Sequence, residues 1–278
     1  MLLAIISSLV ATISPFWGLI FWTVNICDLL RKKAKDVNIG FAIFGGVALI
    51  TSVSLNLGSL RLADALIGVG VSTFVFSNLY VTRGFRQSFS IFALFQCCYG
   101  LLRKYLFADE LMEAKDLVLS QIAASKELLQ NYPDMETEYL KMIDFYFNNI
   151  EIFWLVPMIF ALVTGMIFSR KNGLMKFHTI AFKLPDNLVY VMILGLVLAI
   201  FEQTRFIGLP ITITFITMLT VQGFPIVWLW LLGSTFNNTL LRLLTYIVIL
   251  INFHIFIMIS CCVGLIDIWF NLKNGVQK

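Results

Sequence analysis

Eight apolar stretches divide this chain, near residues 2–26, 39–58, 65–81, 88–102, 150–168, 187–207, 210–232 and 240–263. A helix needs about 20 mostly apolar residues to cross the hydrocarbon of a bilayer, and most of these runs approach that length. A soluble fold cannot accommodate them. Only 13% of the residues are charged, and 26 Phe and 6 Trp are present, whereas a soluble domain carries about 25% charged residues. Disorder, a collagen-like chain and a secreted disulfide scaffold are excluded by the same composition. The expectation is an all-α polytopic membrane protein, a bundle of about eight transmembrane helices forming one domain over residues 1–278. The first run contains Pro15 and is too short for two full spans, so it reads as one retained span. The last apolar stretch continues to Phe270, tilting or bending near Gly264 to follow the interface.

The charges are sharply divided. Between Arg103 and Asn149 lie nine acidic residues against five basic ones, a net −4; the rest carries fifteen basic and seven acidic residues, a net +8. The basic residues sit in short loops: Arg31, Lys32, Lys33 and Lys35, then Arg83 and Arg86, then Arg170, Lys171, Lys176 and Lys183. Those loops alternate correctly for the cytoplasmic side. The acidic segment and the N-terminus then fall outside, and eight spans also carry Lys273 and Lys278 outside. A nucleic-acid partner would need a basic stripe with stacking aromatics on a soluble face, and none is present. The first residues lack the basic start of a secretory signal.

Segment 103–149 reads as an extracytoplasmic amphipathic helical insertion. Leu111, Ala114, Val118, Ile122, Ser125 and Leu129 recur at helical spacing. Asn131-Tyr132-Pro133 breaks that pattern, and Asp134 is placed to cap a second helix. Along it Met135, Tyr139, Met142, Ile143, Tyr146, Phe147 and Ile150 form an apolar stripe. The pair is read as a lid over the bundle or as a packed connector, and amphipathicity does not separate the two.

The motifs of zinc proteases, serine hydrolases and phosphate-binding loops are absent. His178 and His254 are the only histidines, and the cysteines (Cys27, Cys97, Cys98, Cys261 and Cys262) lie where small apolar residues pack. No metal or cofactor is expected, and any ATP-driven work needs a partner. What remains is polar residues at membrane depth, which avoid lipid and face protein or water. They are Asn56, Glu151, Glu202, Gln203, Arg205, Gln222, Asn252, His254 and Asp267. Glu202 and Arg205, three apart, are spaced to pair on one helical face. Glu202, Arg205, Gln222, Asn252 and His254 are the candidate ligand-binding residues. The first two would hold charged groups and the others would orient the ligand by hydrogen bonds. The alternative is that they glue helices together. Asp267 is read as solvated at the interface beside an anchoring Trp269. Small residues four apart, Ala4/Ser8 and Ala161/Gly165, suit close helix approach, within the bundle or to a second membrane protein.

Gly264-Leu265-Ile266-Asp267-Ile268-Trp269-Phe270 resembles the closing motif of the YybS-like bacterial membrane proteins, a family of unassigned function. Leu184-Pro185-Asp186-Asn187-Leu188-Val189-Tyr190 and Val221-Gln222-Gly223-Phe224-Pro225 fit the same family in order, as does the acidic insertion. The resemblance covers roughly residues 85–272; the N-terminal part departs from the pattern. It implies a bacterial cytoplasmic membrane, and the family is similar to the substrate-binding subunits of energy-coupling factor transporters. Those subunits bind vitamins or metal ions and depend on a separate ATPase module. The leading expectation is thus a non-enzymatic, transport-related protein. It would bind an unknown small ligand in an outward-facing pocket and draw energy from an ATPase module or another membrane protein. The alternative is a scaffold docking cell-envelope proteins. A membrane enzyme, third in order, would use Asp109 or Glu110 as base.

Overall fold

The computed structural model describes residues 2–32, 34–124, 133–169, 183–232, 247–249, 251–270 and 272. The basic residues Lys33, Arg170, Lys171, Lys176, Lys273 and Lys278 lie outside them, with His178, Ser125, Leu129, Asn131 and Tyr132. Among the described residues every regular element is a helix. Five helices are long and apolar enough to cross a membrane: Val37–Ser54, Ser59–Leu106, Ile150–Phe168, Arg205–Trp228 and Phe253–Phe270. The chain is an all-helical, multi-pass membrane protein.

The first apolar run is not one span. It forms α1 (Leu2–Ile13) and α2 (Pro15–Lys32), with Pro15 as the first residue of α2, where its missing N–H costs nothing. A side chain at Gly18 would run into the backbone of Ala11, seven residues earlier, although a continuous helix would hold those residues about 10 Å apart. The chain therefore folds back at Ser14. The small face of α1 is consumed inside the bundle: Ala4, Ser8 and Ala11 are fully buried, and the Ser8 hydroxyl donates to the Phe44 carbonyl (2.7 Å) of α3 (Ala34–Ser54). Asn56 then turns the chain at φ 49°, a left-handed conformation that asparagine tolerates better than most residues.

The second candidate span, 48 residues long, would reach about 72 Å if straight, more than twice the hydrocarbon thickness. It is a hairpin. The first arm is α4 (Ser59–Ala63), a π-helical stretch (Asp64–Val71) and the start of α5 (Ser72–Leu106). The fold-back is at Gly84, whose φ of 75° is open to a residue without Cβ. Phe76 packs on both Phe85 and Phe92 across the turn (ring centroids 6.4 and 6.1 Å). The arms correspond to the apolar runs 65–81 and 88–102.

The amphipathic insertion comprises α6 (Ala108–Ala124) and α7 (Pro133–Asn148), the latter opening on Pro133 itself. Lys115 pairs with Asp144 between them (2.7 Å). Glu110 tethers α6 to the bundle by accepting hydrogen bonds from the Ser59 hydroxyl and the Leu60 N–H, at the start of α4. The expected apolar stripe of α7 is only partly covered: Ile150 is buried, but Tyr139, Met142 and Tyr146 are exposed.

α8 (Ile150–Phe168) packs on α2, where Gly165 admits Thr23 and the Ile20 carbonyl. The stretch 187–207 is not one helix either. α9 (Leu188–Ile200) ends in a turn over residues 201–204, and α10 (Arg205–Leu232) begins at Arg205. The break follows the polarity of Glu202-Gln203-Thr204, and the Thr204 hydroxyl holds it by donating to the Leu198 carbonyl (2.8 Å).

α11 (Phe253–Phe270) runs antiparallel to the later part of α10 and passes straight through Gly264. Gly223 and Gly264 let the two backbones touch: a Cβ on Gly264 would collide with the Leu219 carbonyl, and one on Gly223 with Ser260. Asp267 is correspondingly not at the interface. It is fully buried and accepts from the Gln222 amide (2.8 Å), whose own oxygen accepts the Leu184 N–H (2.9 Å).

The loops sort to two ends of the bundle. Arg86 donates to the Leu184 carbonyl (2.9 Å), so the Gly84 turn and residues 183–187 share one end. The α3–α4 turn, the insertion and the α9–α10 turn share the other. Replacing Gly264 with Val is expected to cost about 1–3 kcal/mol through overpacking. Gly46→Ala, where an added Cβ meets nothing within 4 Å, is expected to be neutral or mildly stabilising. Thermal melts in detergent check both, and an unaffected Gly264→Val would refute the close crossing.

Candidate functional site

Two polar clusters occupy the end of the bundle that carries the insertion, and they share helices. The inner cluster closes the α4–α5 hairpin. Arg103 grips Asp64 with two hydrogen bonds (Nε 2.8 Å, Nη2 3.0 Å), and the Tyr99 hydroxyl donates to the same carboxylate (2.9 Å). The guanidinium also lies over the Trp154 ring, 4.9 Å from its centre, a cation–π position. Trp154 donates to Gln96 (3.0 Å), and Gln96 donates to the Gly68 carbonyl (2.7 Å). Gly68 has no side chain because one would strike the Trp154 ring at 2.5 Å. The change from π- to α-helix disturbs the backbone ladder, and the Ser72 and Thr73 hydroxyls donate to the Gly68 and Val69 carbonyls (2.6 Å each).

The outer cluster lines a partly open cavity of about 650 Å³ between α8 and α10. Lys104, next to Arg103 on α5, points the other way and meets Glu151 at the start of α8 (3.0 Å) while donating to the Asn148 carbonyl. Asn148 and Asn149 edge the cavity, and Glu202 and Arg205 face it from the opposite wall. Phe145 and Phe153, in edge contact at 5.9 Å, join Phe206, Leu209 and Ile213 to make the remainder apolar. Neither Glu202 nor Arg205 has an ion-pair or hydrogen-bond partner among the described residues. Glu202 lies in the turn and not on a helix, so the two do not share a helical face as their spacing suggested.

Of the five candidate ligand residues, the structure brings Glu202 and Arg205 to this cavity. Gln222 is elsewhere, with both ends of its amide engaged by Leu184 and Asp267. Asn252 donates to the Val248 carbonyl (3.1 Å), and His254 is exposed at the start of α11. Phe256 of that helix packs on Phe224 (5.3 Å), about 28 Å along α10 from Arg205. Those three residues therefore lie toward the other end of the bundle. Sequence reasoning missed Asp64, Gln96, Tyr99, Arg103, Lys104 and Trp154 as one assembly. The available signal was pairing across a hairpin centred on Gly84, since Asp64 and Arg103 are nearly equidistant from it. Of the acids weighed for catalysis, Glu110 is engaged as the cap of α4.

No protein-family model, curated protein or solved structure matches the chain. The resemblance to the YybS-like proteins stands on its short motifs, and function has to be argued from the cavity.

Removing one partner of a buried ion pair leaves an uncompensated charge, at a cost of about 3–5 kcal/mol. Arg103→Met is expected to lose that much stability, and Asp64→Asn combined with Arg103→Met to regain part of it. Melting temperatures of the single and double variants check this; equal values would show that the two groups are uncoupled.

Proposed function

We propose that this protein binds a small ligand carrying both a positive and a negative group in the cavity between α8 and α10. The observation that carries the reading is the pair of opposite charges, Glu202 and Arg205, exposed at the mouth of the cavity with no ion-pair or hydrogen-bond partner among the described residues. Lys104 and Glu151 on the facing wall neutralise one another, so a ligand of zero net charge leaves the site balanced. A few polar and charged groups set among apolar and aromatic side chains are the usual make-up of a ligand pocket. The small-residue faces at Ala4/Ser8 and Ala161/Gly165 are used inside the bundle, which takes away one support for the scaffold alternative.

In this reading the chain makes about eight passes of a bacterial cytoplasmic membrane, with the insertion and the cavity on the outer side, as its basic loops favour. Its role is transport-related and non-enzymatic. Because the sequence has no nucleotide-binding motif, the energy for any cycle comes from a partner, an ATPase module or another membrane protein.

The test is affinity purification in mild detergent with mass spectrometry of co-purifying small molecules and proteins, repeated on Arg205→Ala. The native protein is expected to retain a zwitterionic small molecule and Arg205→Ala to lose it by about tenfold or more, with no change in melting temperature of the empty protein. An empty cavity accompanied only by envelope proteins would overturn the reading in favour of the scaffold.

A further inference from the structure

We infer that the ligand is an amphiphile, a zwitterionic phospholipid with a primary ammonium, which enters the cavity from the side with its head group at the rim. The inference rests on the ligand-binding reading above and deepens it. The cavity has a polarity gradient parallel to its helices. Every charged group lining it lies at a helix end: Lys104 near the end of α5, Glu151 in the first turn of α8, Glu202 in the α9–α10 turn and Arg205 at the start of α10. Moving down α10 from Arg205, the lining becomes Leu209 and then Ile213, about 12 Å deeper. A ligand from water would need polar contacts at that depth, and these side chains offer none. A lipid presents the same order of groups in the same direction, with charges at the interface and hydrocarbon beneath.

The head group has matching partners. Arg205 presents the planar fork that grips phosphate oxygens through two hydrogen bonds, and Glu202 supplies the opposite charge for the ammonium. Backbone acceptors stand nearby. Pro157 has no N–H for the carbonyl of Phe153, and Pro210 none for that of Phe206. Phe153 and Phe206 both line the cavity, so the two in-helix prolines each leave the carbonyl of a lining residue without its helical donor, an acceptor for an ammonium with three N–H groups. The rings of Phe145, Phe153 and Phe206 add faces favourable to a cation. Phe153 and Phe206 are themselves 40% and 43% exposed, so the apolar wall continues onto the outer surface of the bundle.

The experiment reconstitutes the full chain in bilayer discs of phosphatidylethanolamine and phosphatidylglycerol with identical acyl chains. The lipid retained after detergent extraction is then counted by native mass spectrometry. Soluble glycerophosphoethanolamine is the competitor. The expected result is at least about tenfold preferential retention of phosphatidylethanolamine, lost in both Arg205→Gln and Glu202→Gln, with no competition by the soluble head group. Leu209→Trp, which fills the apolar wall and leaves the charges, is expected to abolish lipid retention as well. It keeps the test decisive should a charge variant fail to fold. Equal retention of the two lipids, or retention indifferent to all three substitutions, would mean ordinary boundary lipid and overturn the inference. Competition by the soluble head group as strong as by the lipid would overturn it too, while leaving the ligand-binding reading intact. If neither lipid nor soluble head group binds, both fall.

Discussion

The buried pair of Asp64 and Arg103 fixes the geometry on which the rest of the bundle depends. A lone carboxylate or guanidinium at membrane depth is costly enough to be driven toward water or toward a partner. Here each finds the other across a hairpin that turns at Gly84, and a tyrosine hydroxyl and a tryptophan ring complete the enclosure. Such a pair is poor evidence of net stabilisation, because desolvation consumes much of its attraction. Its effect is on register. With the partners 39 positions apart in sequence, one alignment of the two arms satisfies both charges. A slip by one turn would leave both unpaired in a poorly solvating medium.

That alignment also builds the cavity. Arg103 and Lys104 are consecutive and so diverge by about 100° around their helix; once Asp64 holds the first inward, the second faces the start of α8. Glu151 and Trp154 repeat the division on α8, with the ring against the inner cluster and the carboxylate against Lys104. The two clusters are thus two faces of the same helix pair. The inner one is closed and satisfied. The outer one is completed across the gap by residues of the α9–α10 turn.

Some of this was legible in the sequence. The runs 65–81 and 88–102 are the arms of the hairpin, the described parts of the insertion are helical, and the small-residue faces are packing faces. What was not legible turned on partners distant in sequence. Asp64 sits one residue outside the predicted span of 65–81, where a search of the apolar runs for polar residues does not reach it; its role depends on Arg103. Asp267 looked interfacial because it lies near the end of an apolar run, and only the Gly223–Gly264 crossing brings Gln222 to it. Hydropathy also cannot see a fold-back inside one apolar run. The return at Ser14 is set by Pro15, and the turn at 201–204 by three polar residues and a Thr204 hydroxyl bond, too few to interrupt a run averaged over a span's length.

The contrast between charges that are consumed and charges that are left open is the strongest guide to where function lies. Asp64, Arg103, Lys104, Glu151, Glu110 and Asp267 are each engaged by groups of the chain itself, and in a helical membrane protein such engagement is what folding requires. Among the described residues nothing engages Glu202 or Arg205, although they are close in sequence and of opposite sign. Both are exposed and a surface ion pair contributes little to stability, so folding gives no reason for the two to stand at the mouth of this cavity. A ligand that brings its own pair of charges does give one, because it recovers on binding the electrostatic attraction that the empty site leaves unused.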